Sequence, residues 1–132
     1  MQETLQKNAA NVLSFRKTIL IVENDLERGY ALAQILKEET PDRVVFATDA
    51  FQALQILHAV LPDVVLLASH LLTRGGLTLI DHLRASSREK PSFIVLMSAS
   101  IPRGEIKAQH LRYAEKPGEG DTFVHLVKEL LI

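Results

Sequence analysis

Four short polar clusters each follow an apolar run, and they hold the chain's candidates for chemistry. They are Glu23-Asn24-Asp25, Ala68-Ser69-His70, Ser98-Ala99 and Lys116-Pro117. In open α/β sheets, ligands bind just beyond the carboxyl ends of the strands, so clusters at those places converge on one site. Ser69 and His70 could in principle accept a phosphoryl group. Covalent catalysis needs an activated nucleophile, and nothing in their surroundings visibly activates either one. The five histidines (His58, His70, His82, His110 and His125) are spread over different elements. None pairs with a second ligand at helical metal spacing, and metal sites need several convergent groups. Cysteine is absent, which excludes disulfides, thiolate nucleophiles and cysteine-based zinc sites. No phosphate-binding glycine loop and no dinucleotide fingerprint follows the first apolar run.

Five apolar runs must position these clusters. They are Ile19-Leu20-Ile21-Val22, Val44-Val45-Phe46, Val64-Val65-Leu66-Leu67, Phe93-Ile94-Val95-Leu96-Met97 and Leu111-Arg112-Tyr113-Ala114. The first, third and fourth are continuous rather than alternating, which marks strands covered on both faces, as in a parallel sheet. The fifth is polar enough for a sheet edge. Helical spacing recurs between the runs: Leu26, Tyr30, Ala33 and Leu36; Ala50, Ala53, Leu54 and Leu57; Leu77, Ile80 and Leu83; Phe123, Val127 and Leu130. Asp25 is suited to cap the first helix. Thr48-Asp49 reads as the start of the second, with Gln52 placed to close a capping box on Asp49. Gly75-Gly76 reads as a turn into the third, with Arg74 solvated beside it. Pro41, Pro62, Pro91 and Pro117 fall between elements. The β-α alternation implies a doubly wound α/β fold.

At 132 residues the chain is one domain's worth, long enough to bury a core. A formal net charge of −1 gives no field for nucleic acid or an anionic membrane, and aromatics are few. No run approaches the length of a membrane span. Met1 to Lys17 lacks the continuous apolar stretch of a secretory signal. A cytoplasmic protein with no nucleic-acid or membrane partner is the expectation. Residues 1–17 stand apart as a tail or a short amphipathic helix through Leu5, Ala9, Val12 and Leu13, and residues 18–132 form the domain proper.

The stretch from Pro62 to Leu77, with the four clusters in this order, resembles a response-regulator receiver domain. The resemblance covers roughly Thr18 to the C-terminus. It implies a flavodoxin-like, three-layer fold with a five-stranded parallel sheet in the order 2-1-3-4-5. In that family the position of Ala68 is the aspartate that accepts a phosphoryl group from a histidine kinase. A methyl group cannot attack phosphorus. Glu23 and Asn24 match the acidic pair that holds magnesium with that aspartate, and only Glu23 keeps its carboxylate. Asp25, one place later, is not expected to rescue the site. Magnesium requires near-octahedral oxygen ligation, so binding is expected to be weak or absent.

Ser98 matches the family's switch hydroxyl, Tyr113 its switch aromatic and Lys116 its phosphate-pairing lysine. The resemblance also implies a cis Lys116-Pro117 bond. With no phosphate to sense, these residues are expected to serve as scaffold. Lys116, lacking its aspartate, is expected to pair with Glu23, because a buried ammonium without a partner is costly. The stretch from Ser98 to Lys116 is short for the family by about one helical turn. That trims the region of Arg103 to His110 and puts the family's habitual dimerisation in doubt, although a homodimer remains open.

The resemblance therefore implies a pseudo-receiver, not an enzyme: a phosphorylation-independent interaction module of a two-component pathway. Its partner would be a histidine kinase, a response regulator or an output domain. Two alternatives stay open: a phospho-switch with a nonstandard acceptor such as Ser69 or His70, and a small-ligand or anion sensor using the former phosphate pocket. A single engineered replacement at Ala68 would leave Asn24 and the short region unexplained.

Overall fold

The computed structural model describes residues 17–86, 92–98, 111–115 and 120–131, with side chains omitted at 98, 111–115 and 120–123. Among the described residues there are five strands: β1 (Thr18–Val22), β2 (Arg43–Ala47), β3 (Val64–Ala68), β4 (Phe93–Ser98) and β5 (Leu111–Glu115). They form one parallel sheet in the order β2-β1-β3-β4-β5. Among the described residues four α-helices connect or close them: α1 (Leu26–Glu39), α2 (Ala50–Ile56), α3 (Leu77–Ser86) and α4 (Gly120–Leu130).

Burial explains why the central runs are continuous. Every residue of β1 and β3 is buried. On one face Leu20, Val22, Val65 and Leu67 pack with Ala53 of α2 and with Leu79, Ile80 and Leu83 of α3. On the other, Ile19, Ile21, Leu66 and Val95 pack with Leu32 and Leu36 of α1 and Val127 of α4. Helices cover both faces, so apolar residues are required at consecutive strand positions.

The helix starts follow from short polar side chains. Asp25 accepts from the Arg28 amide at 3.0 Å and caps α1, as its type and place predict. Asp49 caps α2 by accepting from the Gln52 amide at 2.7 Å. The capping box closes one residue earlier than expected. Gln52 Oε1 accepts from the Thr48 amide at 2.6 Å and faces the Thr48 hydroxyl at 3.1 Å, so Gln52 reaches past Asp49.

The buried stripe of α1 also differs from the expected one. It runs Gly29, Leu32, Ala33 and Leu36, whereas Leu26 is 52% exposed and Tyr30 65% exposed. The cause is Phe46 of β2. Its ring lies so close to Gly29 that a Cβ there would collide with it, and Tyr30 packs edge-on to the same ring with centroids 5.3 Å apart. Leu77 likewise turns outward at the start of α3, and Leu79 takes its place in the core with Ile80 and Leu83.

Candidate functional site

The site is built where β1 and β3 end side by side. Val22 pairs with Leu67, so Glu23 and Ala68 stand one position further along adjacent strands. Ala68 is also paired with Met97 of β4, which places Ser98 immediately beyond. Three of the four polar clusters thus meet at the carboxyl edge of the sheet. Ser98 and Tyr113 are described by backbone only, in β4 and β5. Lys116, its bond to Pro117, its expected pair with Glu23 and the region of Arg103 to His110 lie outside the described residues.

Ala68 is fully buried among Leu67, Leu71 and the inner face of α3. Its methyl group offers neither nucleophile nor metal ligand. The chain then makes a 3₁₀ turn over Ser69–Leu71 and a wide turn over Leu72–Gly76 before entering α3. Two glycines permit that course. Gly75 has φ +90°, a conformation L side chains rarely adopt, and a Cβ on Gly76 would come within 2.6 Å of the Leu71 carbonyl oxygen. Arg74 is exposed, as expected.

Glu23 is the buried carboxylate of the site, only 1% exposed. Its amide donates to the Ala47 carbonyl at 3.1 Å, extending the β1–β2 ladder and fixing the backbone. Its two oxygens face different nitrogens. Oε1 lies 3.5 Å from Arg28 Nη1, and Oε2 lies 3.8 Å from His70 Nε2. The same His70 nitrogen is 2.6 Å from Asn24 Oδ1, so the tautomer with its proton on Nε2 donates to the Asn24 carboxamide. Asp25 does not join this cluster through its capping oxygen, which is committed to α1.

The arrangement brings together Glu23, Asn24 and Ala68 from the expected set. It adds one residue that the sequence analysis does not assign to the site, Arg28, which is detectable in principle: it sits three residues after the Asp25 cap, in the first turn of α1, where a long side chain can reach back to the end of β1. His70 belongs to the expected cluster after β3, but its contact with Asn24 across 46 residues depends on how the turn after β3 folds.

No protein-family model and no curated protein matches the sequence. Solved structures do. Response regulator TrrA from Thermotoga maritima, in complex with Mg2+ and BeF, aligns with a TM-score of 0.72 at 24% identity, covering 86% of this chain and 98% of that chain. The signal receiver domain of an HD domain-containing protein from Pseudomonas fluorescens Pf-5 aligns with a TM-score of 0.70 at 27% identity, covering 88% and 94%. A chain from the complex of the phosphorylated P1 domain of CheA3 with CheY6 from R. sphaeroides aligns with a TM-score of 0.65 at 17% identity, covering 89% and 99%. The fold is that of a response-regulator receiver domain.

A receiver fold implies magnesium at the ends of β1 and β3, and the donors of this chain do not fit it. One carboxylate, one carboxamide and one methyl group occupy the three positions, against a requirement for hard oxygen ligands in near-octahedral geometry. The carboxylate that remains already faces a guanidinium and an imidazole. Among the described residues, no three His, Cys, Asp or Glu side chains converge as a metal site. Two open grooves, of about 390 and 410 Å³, share Thr40, Pro41 and Asp42 in the loop leading into β2, at the opposite end of the strands from Ala68. No described helix is long and apolar enough to cross a membrane.

Proposed function

We propose that this receiver-like domain is a phosphorylation-independent protein-interaction module of a two-component signalling system, and that it is not an enzyme. The observation that carries the reading is the buried methyl group of Ala68 at the place where a receiver carries its phosphoacceptor. Phosphoryl transfer to a receiver needs a nucleophile and an electrostatic clamp on the phosphoryl oxygens. Ala68 removes the first, and the loss of carboxylates at positions 24 and 68 weakens the second by removing magnesium ligands. The structural neighbours support a signalling setting, and one of them comes from a complex of the phosphorylated P1 domain of CheA3 with CheY6. A histidine kinase, a response regulator or an output domain in the cytoplasm is the partner class that fits this reading. Ser98, Tyr113 and Lys116 then serve as scaffold rather than as a switch.

The test is exposure of the purified domain to a small-molecule phosphodonor with magnesium, read by intact mass. The unmodified mass is expected throughout. A stoichiometric phosphoryl adduct would overturn the reading, and its loss in His70→Ala or Ser69→Ala would locate a substitute acceptor.

A further inference from the structure

We infer that two of the chain's own side chains, Arg28 and His70, take up the place beside Glu23 where a divalent metal would sit and pin the start of α1 to the turn after β3. The inference rests on the proposed reading, since the receiver fold defines where a metal would sit.

Charge balance supports it. Relative to an acidic triad, positions 24 and 68 have lost two negative charges, and a divalent ion carries two positive charges. Losing both together leaves a single negative charge, now carried by Glu23 alone. One buried carboxylate remains, and a buried charge requires a compensating partner. Arg28 supplies it at 3.5 Å from Oε1. The Arg28 backbone is itself held, because its amide donates to the Asp25 cap. The guanidinium therefore projects from a fixed point one turn above the end of β1.

The other side of the carboxylate is closed by His70, from the neighbouring strand's exit. Its Nε2 lies between Glu23 Oε2 at 3.8 Å and Asn24 Oδ1 at 2.6 Å. Asn24 suits this role better than an aspartate beside Glu23 would, because a carboxamide accepts the imidazole proton without placing a second negative charge next to a buried one. Two substitutions relative to the acidic pattern thus act together with two neighbouring side chains. Ala68 withdraws a ligand, Asn24 becomes an acceptor for His70, Arg28 faces the one carboxylate left, and His70 closes its other side. The two loops that a metal would tether are tethered by side chains, in a state that does not depend on the ion.

Magnesium titration of Asn24→Asp tests this, by calorimetry and by the shift in thermal midpoint. This variant restores the acidic pair with Glu23 and leaves the buried Ala68 untouched. With Arg28 and His70 in place it is expected to bind no magnesium at millimolar concentration. Adding Arg28→Gln and His70→Gln is expected to raise the affinity at least about tenfold, since the guanidinium and the imidazole that face the carboxylates are removed. Both replaced side chains are nearly half exposed, so the triple variant is expected to fold. Amide NMR spectra broadened by Mn2+ at residues 23 and 24 give a second readout on the same proteins. Equal binding by the single and triple variants, including no detectable binding by either, would overturn the inference. Either result leaves the proposed function standing, because that reading fails only if the wild-type chain takes a phosphoryl group.

Discussion

The two ends of the sheet are built differently. At the amino end, polar side chains knit the strands together. The Thr18 amide donates to Asp63 Oδ2 at 2.9 Å, the Lys17 amide donates to Asp42 Oδ1 at 3.1 Å, and Ser92 Oγ donates to the Pro62 carbonyl at 2.5 Å. Arg43 Nη2 adds a bond to Thr18 Oγ1 at 3.2 Å. These groups close off β1, β2, β3 and β4 where their ladders begin. At the carboxyl end, buried Ala68 and a small polar cluster around Glu23 end adjacent strands, and the outer members of that cluster, Arg28 and His70, are nearly half exposed. The amino end serves stability. The carboxyl end is where a receiver fold carries function, and there this chain places Ala68 and Asn24 near Glu23, Arg28 and His70.

Perturbations at the two ends should therefore differ in size. Asp63→Ala should cost about 1–3 kcal/mol in urea unfolding, because it strands the Thr18 amide of a mostly buried residue. Gly29→Ala should cost a similar amount, about 1–3 kcal/mol, since a methyl group there collides with Phe46. An unchanged unfolding midpoint in either would show that the packing described between α1 and β2, or the bonding at the amino end, adds little. Asp25→Ala at the carboxyl end removes a cap and should cost about 1 kcal/mol. His70→Ala should change stability by less than about 1 kcal/mol, because its partners hold it in a solvent-screened pair. A loss at His70 matching that at Asp63 would erase the contrast between the two ends.

The same contrast governs what was legible beforehand. Continuous apolar runs such as Val64 to Leu67 announce themselves, since burial on both faces leaves no room for alternation. Asp25 and Asp49 were readable because a cap is a local bond over three residues. The amino-end network was not, because Thr18 and Asp63 are 45 residues apart and their meeting depends on the register of β1 with β3. The stripe of α1 slipped for a different reason. Its key contact is made by Gly29, which has no side chain for a hydrophobic pattern to register, while Leu26 and Tyr30 kept helical spacing on the exposed side. In the site, Glu23, Asn24 and Ala68 were legible from their order at the ends of strands. His70 was legible as a member of the cluster after β3 but not its contact with Asn24, which spans 46 residues and depends on the path of the turn; Arg28 was missed although it lies only five residues from Glu23.

The central claim is that the pocket at Ala68 and Glu23 no longer responds to phosphorylation chemistry. Its most direct test is the amide NMR spectrum of the wild-type domain titrated with magnesium and beryllium fluoride, which together mimic a bound phosphoryl group. The account predicts unchanged resonances for Glu23, Asn24, Ala68 and the turn through His70. A saturable shift confined to those amides would show a working phosphoryl pocket and contradict it.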